Sequence, residues 1–321
     1  MRVLVTGCAG FVGRHMVREL QHRGYEVYGA DLVATAEHPE WTMDAHKIFD
    51  GAAYENIRFN LIVHCAYHVG GRQGIDGVNM SLAKNLSLDA RMFEWAVRTG
   101  QGKVLYFSSS AAYPTSLQTL ETRQRLSEDH IDLDNIRQPD SNYGLAKIVG
   151  ERLSRTAITM GVPIHVVRPF SGYGLDQGDE YPFTAIVKRA SVGDVSVWGM
   201  PGQTRDWIHI DDVVSGALTI VDNNEYRPVN LCTGEGTEMG DFALSVAYKC
   251  GYVNISDKQA KYLIDKPTGP MWRVGNPTRM LQHYYPKITF QDGIRRKLKS
   301  MLFDDSNDAR KSSTQREGEN G

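Results

Sequence analysis

The stretch "VTGCAGFVGRH" (residues 5–15) decides the fold of this chain, because it joins an apolar run to an amphipathic one through regularly spaced glycines. The run "RVLVTG" (residues 2–7) predicts a strand, and "HMVRELQHRG" (residues 15–24) has helical periodicity with a glycine at its end. Glycines at such a turn let the backbone approach a diphosphate, and the helix that follows offers free N–H groups. We therefore predict a dinucleotide-binding turn whose contacts are Gly7, Gly10, Phe11, Val12 and Gly13.

The alternation of short apolar runs with amphipathic ones continues beyond this turn. Such alternation predicts an α/β fold with a Rossmann-type, doubly wound parallel sheet that helices cover on both faces. Further strands are predicted at 26–32, 61–67, 103–109, 164–170 and 227–234, and further helices at 79–99, 144–160, 183–191 and 238–250.

The order of the chain loosens after residue 170, where glycine, proline and aromatic residues accumulate. We predict a dinucleotide-binding domain at 1–170, which segments around 205–250 complete. A smaller mixed C-terminal portion at 171–303, interleaved with the last strands, is expected to bind the substrate. The polar stretch 304–321 is predicted to be a disordered tail.

The bulk composition is that of an ordinary globular protein and excludes several classes of function. With 23% charged residues and a formal net charge of -2, the chain has no basic field for nucleic acid or anionic membranes. The sequence contains no apolar run of the roughly 20 residues that span a bilayer. Its 4 cysteines lie far apart without a C-x-x-C pair, which argues against a metal site and favours a reducing, cytoplasmic location.

Two aspartates are candidates for contacts to the adenosine half of the dinucleotide. Asp31 ends the second predicted strand, where a carboxylate can accept hydrogen bonds from ribose hydroxyls and would repel a 2′-phosphate. This position favours NAD over NADP, although a carboxylate there can also cap a helix or serve a loop. Asp44 is an equally balanced candidate, either an acceptor for the adenine amino group or a solvated loop residue.

The segment "SNYGLAKIVGE" (residues 141–151) places Tyr143 and Lys147 four residues apart, on one face of a predicted helix. A tyrosine with a pKa of about 10 is a poor base at neutral pH. A neighbouring ammonium and a cationic nicotinamide both favour the phenolate. Tyr143 could then take a proton from a sugar hydroxyl while a serine hydroxyl orients the same group.

These motifs together resemble the extended short-chain dehydrogenase/reductase family, in its NAD-dependent nucleotide-sugar epimerase/dehydratase branch. The resemblance covers residues 1–302 and includes "HCAY" (64–67), "SSSAAYP" (108–114), "PDSNYGLAK" (139–147), "RPFSGYG" (168–174), "QTRDWIHIDDVV" (203–214) and "KPTGP" (266–270). It implies that Ser109, Tyr143 and Lys147 are catalytic and that Ala66, Tyr143 and Lys147 contact NAD. Strand-end hydrogen bonding is the structural alternative for Ser108 and Ser110, and Asp212 is expected to cap or brace its segment.

The resemblance also implies a nucleotide-diphosphate sugar, GDP- or UDP-linked, as the substrate. Arginine guanidinium groups match phosphate oxygens well, and two arginines stand at the family's diphosphate positions. The implied substrate contacts are Arg205 and Arg273, together with Gly71, Arg72, Ser110 and Ser171. A homodimer is expected for this family.

The stretch "YHVGGRQG" (residues 67–74) resembles more narrowly the GDP-mannose 3,5-epimerases and GDP-fucose synthases, but a catalytic residue of that branch is absent. The position of its acid/base cysteine is Ala111 here. Glu180 is the best match for the second acid/base, with a solvated carboxylate equally compatible, and His68 is a weaker substitute that fits a loop role better. The Asp–Glu pair of the dehydratases is missing at Ser110 and Ala111 as well.

The surviving groups favour reversible oxidation at one sugar carbon, so the leading hypothesis is a 4-epimerase acting at sugar C4. A GDP-sugar 3,5-epimerase or epimerase/reductase with relocated acid/base groups is the first alternative, and a nucleotide-sugar dehydratase is the next. A non-catalytic sugar-nucleotide binding module is disfavoured, because such a module has no use for Ser109, Tyr143 and Lys147 together.

Overall fold

The computed structural model describes residues 1–54, 56–69, 80–252 and 259–302. Its short strands alternate with helices along the first two thirds of the chain. The strands are β1 (Arg2–Thr6), β2 (Glu26–Ala30), β3 (Leu61–His64), β4 (Lys103–Phe107), β5 (Ile164–Pro169), β6 (Ser171–Tyr173), β7 (Ser196–Trp198), β8 (Thr204–His209), β9 (Val229–Leu231), β10 (Gly236–Glu238), β11 (Lys261–Leu263) and β12 (Trp272–Arg273). The helices are α1 (Phe11–His22), α2 (His46–Phe49), α3 (Ser81–Thr99), α4 (Ser141–Thr159), α5 (Pro182–Ala190), α6 (Ile210–Asp222), α7 (Met239–Lys249) and α8 (290–302).

A six-stranded parallel sheet, in the order β2-β1-β3-β4-β5-β9, forms the centre of the molecule. Alternate side chains of its strands enter two different cores. Val5 and Val63 pack in a core with Met16 of α1, whereas Leu4 and Ile62 pack with residues of α3 on the opposite face. Apolar residues on both faces explain why these strands read as continuous hydrophobic runs.

The strand order reverses between β1 and β3, and this reversal positions the candidate site. The chain leaves β1 toward β2 on one side and returns to β3 on the other. In open α/β sheets, ligands bind at the carboxyl ends of the strands at such a reversal. The turn that begins at Gly7 and the segment that begins at Cys65 follow β1 and β3, so both lie at this edge.

A smaller portion holds mixed pairings outside the main sheet. Strand β8 pairs antiparallel with β10 and parallel with β6 and β12, and β7 pairs with β11. Its core is aromatic, with ring contacts that run from Tyr173 to Phe183, from Phe183 to Trp207 and from Trp207 to Phe242. The predicted fold class, a doubly wound parallel sheet with a smaller mixed C-terminal portion, is confirmed.

Several predicted boundaries are wrong. Helix α1 begins at Phe11 rather than at residue 15, because Gly10 is extended and its carbonyl accepts the Arg14 N–H at 3.0 Å. Helix α4 begins at Ser141, three residues earlier than predicted. Helix α6 was not predicted, because it follows β8 without a glycine or proline, and its cap is the imidazole of His209. Within the described ranges, no helix combines the length and the apolar character that a membrane span requires.

Candidate active site

The glycine turn is built around two close backbone approaches. Gly7 has φ +69°, and a Cβ atom there would lie 2.6 Å from the backbone N of Ala66. A Cβ atom at Gly13 would lie 1.9 Å from the carbonyl oxygen of Gly7. Side chains at either position would push the turn away from β3 or from α1. Because α1 starts at Phe11, the N–H groups of its first turn, at Phe11, Val12 and Gly13, face the same edge.

Asp31 ties the end of β2 to this turn. Its carboxylate accepts the Ala9 N–H at 2.9 Å and the Val33 N–H at 3.0 Å, and the side chain is half-buried. A carboxylate held in this way retains lone pairs for ribose hydroxyls, as the sequence predicts. The close-packed glycine turn, the helix start and the fixed Asp31 together fit the pyrophosphate and adenosine ribose of a dinucleotide.

Asp44 is engaged locally in the structure. Its carboxylate accepts the His46 N–H at 2.9 Å and approaches the His46 ring at 2.8 Å. Burial raises the pKa of Asp44, but these hydrogen bonds outweigh it and hold the pKa below its usual value. The side chain is 49% exposed, so Asp44 faces solvent beside the turn and makes its own short turn.

The segment 108–114 follows β4 and contacts the start of α4. Ser109 accepts the Ala111 N–H at 3.1 Å and caps a short 3-10 turn (Ser110–Ala112). The Ala111 carbonyl accepts the Asp140 N–H at 3.1 Å, and a Cβ atom at Gly144 would lie only 2.2 Å from that carbonyl oxygen. The approach of these two segments brings Tyr143 to Ser109.

The expectation that Ser108 serves strand-end hydrogen bonding is confirmed. Its hydroxyl donates to Glu151, whose carboxylate also holds the buried guanidinium of Arg168 at 2.6 Å and 2.8 Å. A bidentate buried pair of this kind keeps both charges satisfied. Ser108 therefore belongs to the support beneath the site.

Tyr143 and Lys147 have strongly shifted pKa values. Burial raises the pKa of Tyr143 to about 12, against the opposing effects of a hydrogen bond with Ser109 and the charge of Arg273. Burial lowers the pKa of Lys147 to about 8, while the carboxylate of Asp89 acts in the opposite direction. Shifts of this size cluster at functional sites, because a water-poor environment and specific charges act there together.

Sequence reasoning missed Tyr67, Asp89 and Tyr181. The Lys147 Nζ atom lies 3.2 Å from the centroid of the Tyr67 ring, and Tyr67 meets Tyr143 edge-on at 5.7 Å. Tyr181 precedes α5 and is close enough to Tyr143 to influence its pKa. Tyr67 ends the motif "HCAY" and Tyr181 follows Glu180, but nothing in the local pattern gives Tyr67, Asp89 or Tyr181 a role.

The two candidate diphosphate arginines are cross-strand neighbours. Arg205 of β8 and Arg273 of β12 are paired in register. Arg205 donates to the carbonyl oxygens of Thr204 and Pro270, and Arg273 donates to Gln118 and Asp140, each at 2.6 Å. Two guanidinium groups at paired register positions are suited to a diphosphate.

The other candidate residues are placed less uniformly. Ser110 is buried and Ser171 is half-buried at the start of β6. His68 and Glu180 are exposed, and the Glu180 carboxylate folds back against Gly178. Gly71 and Arg72 lie outside the described residues. Asp212, as expected, braces its segment, since it accepts hydrogen bonds from the Tyr284 hydroxyl and from the backbone N–H groups of Lys287 and Ile288.

Known proteins resemble this chain in sequence and in fold. A dTDP-4-dehydro-6-deoxy-D-allose reductase from a Streptomyces species is 27% identical over 87% of both chains. GDP-mannose 3,5-epimerase 1 from Oryza sativa subsp. indica is 25% identical, covering 92% of this chain and 80% of that protein. The fold also matches the UDP-glucose 4-epimerase of Thermus thermophilus, solved in complex with NAD, with a TM-score of 0.74, 24% identity, and coverage of 92% and 97%.

The family model for the NAD-dependent epimerase/dehydratase family matches residues 3–232, which include the glycine turn, the serine segment, Tyr143 and Lys147. This match confirms the resemblance inferred from the motifs, and with it an enzyme whose cofactor is NAD. The chain belongs to the NAD-dependent epimerase/dehydratase family.

Proposed function

We propose that the protein is a nucleotide-sugar 4-epimerase, which acts by transient oxidation at C4 of the sugar. One observation carries the proposal. Tyr143 lies beside Ser109, whereas Ala111 and Ala112, in the same segment as Ser109, carry only buried methyl groups. This arrangement supports oxidation and reduction at one carbon and supplies no side chain there that could exchange a proton with a second carbon.

Three side chains divide the work at that carbon. Tyr143 takes the proton of the C4 hydroxyl, for which its raised pKa must fall, and the positive charges of Lys147 and the nicotinamide favour that change. The Ser109 hydroxyl, near Tyr143, orients the same oxygen. When bound, NAD would supply reversible hydride transfer at that carbon. Asp31 and the glycine turn hold the cofactor, and Arg205 and Arg273 hold the diphosphate of a UDP- or GDP-linked sugar.

The placement of His68 and Glu180 supports C4 chemistry over 3,5-epimerisation. Both side chains are exposed to water. An acid/base group that returns a proton to a chosen face of a sugar works best when it is held close to that face and away from solvent. Neither residue has the fixed, enclosed position that Tyr143 has, so the proposal gives them no role in proton transfer.

A second candidate is a reductase that converts a 4-keto nucleotide sugar to its alcohol. It is favoured by the 27% identity to a dTDP-4-dehydro-6-deoxy-D-allose reductase, since such chemistry needs the same serine, tyrosine and lysine. The two candidates differ in stoichiometry. An epimerase regenerates its cofactor in every turnover, whereas a reductase consumes one reduced cofactor for each product.

The test is incubation of the purified protein with NAD and a panel of UDP-, GDP- and dTDP-linked sugars in D2O, followed by NMR. The proposal predicts a C4 epimer with no deuterium on carbon. Deuterium at C3 or C5 would contradict it in favour of a 3,5-epimerase or a dehydratase. In a parallel incubation with NADH and a 4-keto nucleotide sugar, turnover of that sugar alone, with loss of NADH absorbance, would establish the reductase instead. A homodimer and a cytoplasmic location remain part of the proposal, the latter supported by the free thiols of Cys8, Cys65, Cys232 and Cys250.

A further inference from the structure

A buried carboxylate lies behind the candidate catalytic lysine. Asp89, on α3, has no exposed surface. Its Oδ2 atom accepts the Tyr106 hydroxyl at 2.6 Å and the Tyr67 hydroxyl at 3.4 Å, and its Oδ1 atom lies 3.1 Å from Nε2 of His64. A carboxylate withdrawn from water needs such donors.

The tautomer of His64 is assigned from the Asp89 carboxylate that its Nε2 atom faces. Thr6 accepts the Ala66 N–H at 3.3 Å through its hydroxyl oxygen, and that hydroxyl lies 2.8 Å from Nδ1 of His64. Because the Asp89 carboxylate can only accept, we assign the ring proton to Nε2, which donates to Asp89, and Nδ1 then accepts from the Thr6 hydroxyl. This chain connects the ends of β1 and β3 to the carboxylate.

The two tyrosines that donate to Asp89 are also the platform under Lys147. The Nζ atom lies 3.2 Å from the centroid of the Tyr67 ring and 5.0 Å from that of the Tyr106 ring. An ammonium over a ring face is attracted by the ring's negative charge density, and more strongly where water is excluded. Lys147 is 3% exposed, so little water competes.

Asp89 is the leading source of negative charge at this ammonium. Its charge raises the pKa of Lys147 more than Cys65 or Glu151 does. Glu151 is engaged by Arg168 at 2.6 Å. Among the described residues, the ionisable groups that face Lys147 are Cys65 and Tyr67 from the segment after β3, Asp89 from α3, Tyr106 from β4, and Tyr143 and Glu151 from its own helix.

We propose that Asp89 is a positioning residue for Lys147: through Tyr67 and Tyr106, its buried carboxylate keeps the ammonium charged and seated on their rings at neutral pH. The inference concerns the charge and position of Lys147. Only its consequence for catalysis rests on the proposed function. Removal of an opposite charge from such a buried site lowers the pKa of the lysine.

The variant that tests the proposal is Asp89→Asn, since Asn has the same shape and removes only the charge. Its Nδ2 group can donate to His64 once the His64 proton moves to Nδ1, and its oxygen still accepts from Tyr106. The matched control is Glu94→Gln, which removes the same charge from an exposed position on the same helix. Both are made in the full chain without added cofactor.

The readout is the pH dependence of Lys147 acetylation by acetic anhydride, followed by mass spectrometry of its peptide. Only the neutral amine reacts, so the midpoint reports the charge on Lys147 and needs no substrate. We expect the midpoint to fall by about one pH unit or more in Asp89→Asn and to stay unchanged in Glu94→Gln. An unchanged midpoint in folded Asp89→Asn would overturn the proposal, whether or not the protein proves to be a 4-epimerase.

A second variant covers the case in which Asp89→Asn does not fold. In the double variant Asp89→Asn/Lys147→Met, the charge that required Asp89 is absent, so the proposal predicts recovery of a cooperative thermal transition. A double variant that is as unfolded as Asp89→Asn alone would show that Asp89 serves the packing of α3 and α4 and not the lysine, and the proposal would fail.

Discussion

The guanidinium of Arg273 donates to the carboxylate of Asp140 at 2.6 Å, and both side chains are about nine-tenths buried, with exposures of 11% and 8%. Asp140 is the N-cap residue, directly before α4, the helix of Tyr143, and its N–H donates to the Ala111 carbonyl. Arg273 also donates from Nε to Gln118 at 2.6 Å. Arg273, a candidate for binding the diphosphate, is thus held by Asp140, which precedes the helix of Tyr143, and by Gln118, which follows the segment of Ser109.

This pairing predicts that Asp140→Asn binds nucleoside diphosphates more tightly. In the wild-type protein the Asp140 carboxylate competes with phosphate for the guanidinium, and removal of its charge should raise affinity about tenfold. Isothermal titration calorimetry with UDP and GDP measures the change. Asp134→Asn, which removes an exposed carboxylate paired with Arg155, is the control. Unchanged or weaker binding to Asp140→Asn would mean that Arg273 does not meet the diphosphate.

The glycine turn allows a matched pair of substitutions. Gly7 and Gly24 have similar positive φ angles, +69° and +75°, but only Gly7 has backbone atoms within 4 Å of the position of an added Cβ. Gly24→Ala should cost about 1 kcal/mol of conformational strain. In Gly7→Ala the added methyl group would also displace the backbone of Ala66. The free energy of unfolding should therefore fall by about 3 kcal/mol, and NAD binding should weaken. Urea denaturation and NAD titration measure both effects. Equal losses in the two variants would contradict the close packing of the turn.

The fold could be predicted from the sequence because its signals are local. The glycine spacing, the runs of β1 to β5 and the periodicity of α1, α3 and α4 each lie within a short window, and they agree with one another. Helix α6 was missed for the same reason, since the chain passes from β8 into it without a breaking residue and Ile210 continues the apolar run.

The candidate site was only partly predictable, because much of it depends on contacts between distant segments. Tyr143, Lys147 and Ser109 carry a motif, but Asp89 reaches Lys147 through Tyr67 and Tyr106, which come from two other segments. The Asp140–Arg273 pair joins residues 133 positions apart. No window of sequence contains such pairs, so their chemistry appears only once the sheet has brought the segments together.

Asp206, the neighbour of Arg205 in β8, joins this strand to two other segments. Its carboxylate is fully buried and accepts four hydrogen bonds, from the Thr233 hydroxyl and from the N–H groups of Thr233, Gly234 and Gly275. In Asp206→Asn, an NH2 group replaces one carboxylate oxygen and faces N–H donors that it cannot accept from. The substitution should therefore lower the free energy of unfolding by about 3 kcal/mol. The exposed Asp265→Asn is the control. Chemical denaturation measures the cost, and a loss as small as that of the control would refute the four-donor arrangement.

Tyr143→Phe removes the hydroxyl that the proposed chemistry requires. Turnover should fall about a thousandfold, whereas NAD binding and thermal stability should change little. The exposed Tyr248→Phe is the control, and it should retain full activity. Product formation measured by NMR checks the prediction. Substantial turnover by Tyr143→Phe would assign the proton transfer to another group, and Tyr181 would then be the first to examine.

Because burial lowers the pKa of Lys147, the stability of the protein should rise with pH. The pKa of Lys147 is lowered from 10.5 to about 8 in the folded protein, so the folded state releases this proton more readily than the unfolded chain. Below pH 8 the lysine is charged in both states, and the full cost of burying the ammonium is present. As pH rises from about 8 to 10.5 that cost disappears, and the Lys147 contribution to unfolding free energy rises by about 3 kcal/mol.

Lys147→Met removes this contribution while it keeps an apolar stem in the same space. Its stability relative to wild type should therefore be greatest below pH 8 and should decline across the window, as urea denaturation at a series of pH values would measure. Lys84→Met, at an exposed position on α3, should show a constant difference. A constant difference for Lys147→Met as well would mean that the lysine titrates near its unfolded value. The ammonium would then be solvated, and neither the aromatic platform nor Asp89 would govern its charge.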